Sequence, residues 1–545
     1  MRKSPAIDLL RRLSGDLWNV AVDEHVEGHL SRRDLIRYAS LIGLTGFAAS
    51  QNFGIIGQAR AQGKPGGTIR VGVDSPSGAI DPVTITSPPA ITVLSQVGEY
   101  LVFDDADKGL VPSLALSWEA NDKGDVWTFK LRPGVKFHDG RVMSAKDVVA
   151  SFDRLVDPNG PSSALSAYKG LLSKGAIKAV DDMTVSFTLD APNGNFPFYV
   201  SSDVVNCIII PADFSGNYEA SFMGTGPFKL DTFQAKKGVS FVRNDEYWGE
   251  KALPDRIEIT FFDDYQAILL AMQAGQMDIM PYTPRLAPAF DHNPSLKILT
   301  IPSSAYDEVH MRVDQTPFKD KRVRRAMALT IDRDAVTKGL LKGRATPAND
   351  HPFAPIFPSA VEMPQRKQDI AEAKRLLAEA GVPNGFEVTL TTEQAYSLPD
   401  YAVLMQNFAK LAGIDIKLNV EPQDSYYGEA VYGKSDWLDS VMGLTDYGHR
   451  GTPDIFLNAT LRSTGTWNAA HFNNPTYDGL VAQYAASRDL KSQREAATKI
   501  QELLMDETPL IIAYFSKFCL VTAAKVQGVR FTAISHVLLD RATVA

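Results

Sequence analysis

The chain has 545 residues, 44% of them hydrophobic and 22% charged, with a formal net charge of −8. That length supports several domains with sizeable cores, and the composition excludes collagenous, low-complexity and disordered chains. The acidic balance offers no basic face for nucleic acid and no attraction to anionic lipid, and the absence of a fixed-period repeat argues against solenoids and propellers.

The N-terminal 61 residues read as a separate leader. Arg32 and Arg33 precede a modest apolar run, YASLIGLTGFAA, and then the small-residue site Ala59-Arg60-Ala61. A basic start, a short apolar middle and an A-x-A end make a signal peptide, and the paired arginines assign it to the twin-arginine route, with cleavage after Ala61. The run is too short and too rich in Gly and Thr to span a membrane. No cysteine follows the cleavage site, so no lipid anchor is expected there. The expected mature protein is soluble and periplasmic, starts near Gln62, and carries 48 basic against 58 acidic residues, a net charge of −10.

Beyond the leader, strands and helices mix from the beginning. Ile69, Val71 and Val73 alternate as a strand, as do the runs Trp127–Leu131 and Val185–Leu189. Between the latter two, Ser144 is an N-cap with Asp147 at the capping-box position, and Val148, Phe152 and Leu155 share one helical face. Arg256–Phe261 is a strand, Tyr265–Gln273 a helix ended at Gly275, and Met277–Met280 a strand again, which predicts a parallel crossover. The later half continues with a helix over Gln368–Ala380, a strand over Phe386–Leu390, a helix over Tyr401–Leu411 and a strand over Ile414–Val420. A helix over Glu495–Leu504 then leads into an apolar strand, Leu510–Phe515. The class is α/β with at least two lobes.

Only two cysteines occur, Cys207 and Cys519, each within an apolar strand-like run. Buried free thiols are the favoured reading, with pairing left open. No CxxC, GxSxG or HExxH occurs, and the nine histidines show no metal-ligand spacing. A secreted hydrolase is therefore the weaker alternative, and neither cofactor nor metal is expected.

The stretch GLTDYGHRGTPDIF places Asp446 directly after the strand-like Ser440–Leu444. An Asp before a Gly-containing loop often bonds its own backbone in a turn. Open α/β sheets, however, bind ligands beyond the carboxyl ends of their strands, which makes Asp446 a candidate counter-charge for a cation.

Several longer segments carry a resemblance. LVPSLALSWEANDKGDVWTFKLRPGVKFHDGRVMSAKDVVASFDRL, GTGPFKL, VRNDEYWG, PFKDKRVRRAMALTIDRDAV, DIAEAKRLLAEAG and ETPLIIAYF follow one another in the order of a known family. Together they resemble the extracytoplasmic solute-binding proteins of ABC importers, family 5, the peptide/nickel/opine-binding type. The resemblance covers essentially the whole expected mature chain. It implies a periplasmic-binding-protein-like fold with two hinged lobes, an extra domain and discontinuous domains. By that analogy lobe I comprises 62–98, 224–302 and 519–545, the additional domain II 99–223, and lobe II (domain III) 303–518.

The resemblance also implies a role for each candidate residue. Asp446 matches the acid that takes a peptide's α-ammonium in peptide-binding members. Tyr447 would support it or stack on the ligand, with a plain core role as the other reading. Trp467 would form an aromatic wall or pack the lobe. His449 and Arg450 depart from common members and could face the ligand. Dipeptide-type members carry an arginine just before the tyrosine of a strand–helix loop; here Glu393-Gln394-Ala395-Tyr396 stands there, so a bidentate carboxylate clamp is missing. Arg312, in Met311-Arg312-Val313, is a substitute anion clamp or a solvated charge, with the solvated charge favoured. His138 in KFHDG and Gly224–Phe228 are read as structural, not as a metal ligand or a phosphate loop.

The expected function is delivery of a small amine-bearing solute, an oligopeptide, opine or related amino-acid conjugate, to an inner-membrane ABC permease by a monomeric binding protein that closes about a hinge and catalyses nothing. Nickel-chelate binding is the alternative within the family.

Overall fold

The computed structural model describes residues 16–26, 28, 30–43, 65–282, 289–395 and 397–545. They fall into two compact units. One holds the described residues up to Tyr282, those of Leu286–Ile301, and Phe518–Ala545; the other is Pro302–Lys517.

In the first unit, the strand Thr68–Asp74 lies between Arg256–Phe262 and Ile279–Tyr282 and runs parallel to both. The helix Tyr265–Gln273 connects those two outer strands, so the predicted crossover is present with one strand interposed. The Asp264 side chain caps it, accepting from the Ala267 N–H at 2.9 Å. A second, antiparallel sheet has the order Ala115–Ala120, Val126–Leu131, Thr184–Thr188, Ile177–Asp181. The helix Ala145–Leu155 starts at the predicted capping box of Ser144 and Asp147 and buries Val148, Phe152 and Leu155. The edge of Phe152 meets Phe187 at 5.0 Å, the T-shaped contact that ring quadrupoles favour.

Two of the quoted motifs are explained by a single half-buried acid. Glu99 accepts from Thr225 Oγ1 (2.7 Å), Tyr247 Oη (2.8 Å) and Trp248 Nε1 (2.7 Å), which ties GTGPF to NDEYWG. Burial pushes its carboxyl up to about 7, against the opposing pull of those three donors. The glycines of GTGPF serve close packing. A Cβ on Gly224 would lie 2.0 Å from the Val97 carbonyl oxygen, and the Gly226 N–H donates to that oxygen at 2.9 Å. His138 belongs to the same arrangement, since its N–H donates to Gly224 O at 2.9 Å and its Nε2 lies 3.1 Å from Gly226 O. Desolvation lowers that imidazole to about 4.

Of the leader, the helix Arg32–Leu41 is capped by Ser31, whose hydroxyl accepts from the Asp34 N–H. Arg33 and Arg37 both donate to the Ala106 carbonyl, at 2.6 and 2.7 Å, at the turn of the hairpin Val102–Asp105/Gly109–Pro112. The side chain of Arg32 and the expected cleavage site, Ala59-Arg60-Ala61, lie outside the described residues.

The second unit is built on a five-stranded sheet in the order Asp415–Glu421, Glu387–Glu393, Met442–Tyr447, Tyr306–Met311, Leu510–Ile512. The first three strands are parallel, and Tyr306–Met311 is antiparallel to both of its neighbours. One apolar layer gathers Val309, Met311, Val388, Leu390, Met442 and Leu444 with the helices Lys321–Leu329, Ile370–Glu379 and Leu398–Lys410. The opposite layer gathers Tyr306, Tyr426, Trp437, Tyr447 and Phe456 with the helices Pro475–Ala486 and Leu490–Glu507. The expected strand Leu510–Phe515 divides at Ala513, and Tyr514 begins the next strand, Tyr514–Ala523.

This unit also contains buried ions with defined partners. Asp350, fully buried, receives two 2.7 Å bonds from Arg333 and one of 2.5 Å from Arg366. Arg324, in RVRRAMAL, donates to the Glu507 carbonyl at 2.9 and 2.6 Å and so joins PFKDKRVRR to ETPLIIAYF. Both cysteines are buried free thiols, and desolvation pushes Cys207 up to about 12.

Candidate ligand-binding site

The strand predicted to end at Leu444 continues through Tyr447, so Asp446 lies within a strand and does not follow one. Cross-strand pairing extends it, with Asp446 opposite Asp307 and Tyr447 opposite Tyr306. The apolar pattern stops three residues before the hydrogen-bond ladder does, because the ladder depends on backbone groups and not on side-chain polarity. The turn reading of Asp446 fails for the same reason.

Glu393 closes the parallel strand Glu387–Glu393 at the same edge of the sheet. Three acids from three adjacent strands therefore meet there: Asp307, Glu393 and Asp446. Asp307 is 8% exposed and Glu393 0%. The Tyr427 hydroxyl donates to Glu393 Oε1 at 2.7 Å and lies 3.1 Å from Thr445 Oγ1. The Tyr514 hydroxyl donates to Asp307 Oδ2. Glu393 Oε2 is buried and, among the described residues, receives no N–H or O–H donor.

The electrostatics follow from that crowding. Burial, then Asp307, then Glu393 push Asp446 up to about 7, and the Glu393 carboxyl stands close enough to share a hydrogen bond with it. Burial also raises Asp307 to about 6, with Glu393 adding to the rise and the Tyr514 hydroxyl opposing it. Glu308, the next residue on the strand, is 1% exposed, and burial alone lifts it to about 8. The alternation of side chains along a strand turns Glu308 to the opposite face from Asp307.

The other candidates are distributed around this edge. Tyr447 is a buried core ring, 5.4 Å from Tyr306 and 6.0 Å from Trp467 between centroids. Trp467 is half-buried against the same layer, and its N–H donates to Ala459 O at 2.8 Å. His449 is held by Ser304, whose backbone N–H donates to Nδ1 at 3.1 Å, leaving that nitrogen unprotonated. The Ser304 hydroxyl donates to the Arg450 carbonyl at 2.7 Å, and Arg450 Nη1 donates to His449 O at 2.8 Å. Tyr396 lies outside the described residues. Arg312 is neither a solvated charge nor an anion clamp: it is 8% exposed, and its Nε and Nη2 engage Asp314 at 2.8 Å each. A buried guanidinium requires a partner, and the acid two residues on supplies it.

Sequence reasoning missed Asp307 and Glu308, and it took Glu393 only as part of a departure from a motif. One signal was available: YDEVHM, a strand buried at every position, spends two acids in succession.

With this geometry in view, comparison with known proteins defines the class. The sequence profile described as "Bacterial extracellular solute-binding proteins, family 5 Middle" matches residues 109–468. The chain belongs to that family, whose members are solute-binding proteins. It is 28% identical over 444 residues to heme-binding protein A of Haemophilus influenzae, covering 75% of this chain and 79% of that one. It is 26% identical over 442 residues to the dipeptide-binding protein of Escherichia coli K12, covering 75% and 82%. Among solved structures, the periplasmic binding protein DppA from Helicobacter pylori in complex with the peptide STSA superposes with a TM-score of 0.73 at 23% identity, covering 88% of this chain and 98% of that one. The fold is thus that of the periplasmic binding proteins of ABC transporters. Among the described residues, no helix is long and apolar enough to cross a membrane.

Proposed function

We propose that this protein is the periplasmic receptor of an ABC importer and that it carries a small amine-bearing solute, an oligopeptide, opine or related amino-acid conjugate. The observation that carries this reading is Asp446, a carboxyl at the carboxyl edge of a parallel sheet whose nearest acting charges are other acids. Such a group is costly to ionise alone and favourable to ionise beside a cation. An ammonium supplies one charge and three donors, which suits a carboxylate whose acting neighbours, among the described residues, are other acids.

The rest of the reading follows the resemblance. The leader 1–61 addresses the protein to the twin-arginine route through Arg32 and Arg33 and is removed after Ala61. The mature protein is a soluble monomer with lobe I at 62–98, 224–302 and 519–545, domain II at 99–223 and lobe II at 303–518. It closes about its hinge when the solute bridges both lobes, because only the closed state gains the full set of contacts, and the permease reads that state. Tyr447 supports Asp446 from the core, while Trp467, Tyr396, His449 and Arg450 border the solute. No covalent step is involved.

Native mass spectrometry of the mature protein identifies the co-purified solute, which is expected to contain an amine. Calorimetry with that solute is expected to show Asp446→Asn binding more than about a hundredfold more weakly, since removing one partner strands a buried cation at roughly 3–5 kcal/mol. Equal affinities for the two proteins would remove Asp446 from the site.

A further inference from the structure

We propose that the site selects solutes carrying two cationic nitrogens a few ångström apart, in preference to zwitterions, because Asp307, Glu393 and Asp446 present three carboxyl groups to one ligand region. This deepens the reading above and rests on it.

Three observations carry the inference. First, the three acids come from adjacent strands, and their donors among the described residues are neutral: Tyr427 on Glu393, Tyr514 on Asp307 and the backbone of Asp446 on its own carboxyl. Those hydroxyls fix the carboxylates in position without cancelling their charge. Second, Glu393 is 0% exposed and, among the described residues, no N–H or O–H donor reaches its Oε2; its carboxyl stands against that of Asp446, with which it can share a proton. A buried acceptor without a donor costs free energy, which a bound N–H group would recover. Third, the acids come from three strands side by side, and among the described residues they are not a group that could converge on one metal ion. A hard cation gathers six to eight oxygens around one point. Charges spread along a sheet edge match charges spread along a molecule.

The count of charges then decides the class of solute. One ammonium answers one carboxylate and leaves the others mutually repelling. A second ammonium or a guanidinium answers Glu393 or Asp307. A solute carboxylate placed at the same edge meets like charge, and the guanidinium of Arg312 is held by Asp314. Diamines, and peptides or conjugates with a basic side chain next to a free amine, fit this arrangement.

The test compares two tripeptide amides by isothermal titration: Lys-Ala-Ala amide and norleucyl-Ala-Ala amide. Both carry the α-ammonium, neither carries a carboxylate, and only the first has a second cation. The wild-type protein is expected to bind the lysyl peptide at least about tenfold more tightly, the worth of one charge-assisted hydrogen bond. In Glu393→Gln that ratio is expected to fall below about threefold, with circular dichroism confirming the fold. Comparable wild-type affinities for the two peptides would overturn the two-cation inference while leaving the single-ammonium reading standing. A ratio unchanged in Glu393→Gln would overturn the inference as well. Failure of both peptides to bind would overturn both readings.

Discussion

At the scale of single residues, the most consequential group is Asp446. Burial and the neighbouring acids raise its carboxyl to about 7, so protonation competes with cation binding near neutrality. A cation binds the ionised form, so affinity for an amine is expected to rise from pH 5.5 to pH 8, and binding near neutrality is expected to release protons. Titrations in two buffers of different ionisation enthalpy measure that release directly. A pH-independent affinity with no proton release would mean that Asp446 is already ionised or does not meet the solute. Asp446 could be singled out in the sequence because an acid at the end of an apolar run stands out against its neighbours. Its companions were not legible in the same way. Asp307 and Glu393 reach it through strand pairing between distant parts of the chain, and side-chain periodicity records which face a residue takes, not which strands become neighbours.

At the scale of elements, the helices were the most legible part, because caps and apolar faces are local. Ser144 with Asp147 marks a helix start in the sequence and in the structure alike, and the helix expected over Gln368–Ala380 forms over Ile370–Glu379 with Asp369 as its cap. Strand ends were less legible. The runs ending at Leu444 and Phe515 both shift, the first extended by pairing with Tyr306–Met311 and the second divided at Ala513. The buried ion cluster of the second unit was invisible, since Arg333, Asp350 and Arg366 are each unremarkable in their local stretch. Asp350 also accepts from the Ile512 N–H at 3.1 Å, so it joins a loop to the edge strand Leu510–Ile512 as well as holding two guanidinium groups. Asp350→Ala strands both arginines in the interior and is expected to destabilise the protein by roughly 3–5 kcal/mol. Urea unfolding followed by fluorescence would show this as a lower midpoint at unchanged slope; a midpoint within error of wild type would mean that water reaches the arginines.

At the scale of the whole molecule, several acids share one direction of shift. Glu99 and Asp446 stand near 7, Asp307 near 6 and Glu308 near 8, all raised chiefly by burial from ordinary values of about 4. A folded-state value above the unfolded one means that the folded protein holds more protons across that window. Stability from these groups is complete below about pH 4 and is lost as pH rises through 6 to 8. The melting temperature of the solute-free protein is therefore expected to fall between pH 5 and pH 8.5, and a bound cationic solute is expected to flatten that fall. Differential scanning calorimetry across the range checks both; a melting temperature rising over the same interval would contradict the assignment. The two interior thiols have a practical consequence of another kind. With Cys207 and Cys519 both shielded, a single cysteine introduced at the exposed Val431 would be the preferred target for a maleimide dye. Comparing the emission of a dye attached there with and without an amine-bearing solute would show whether capture alters the surroundings of that position.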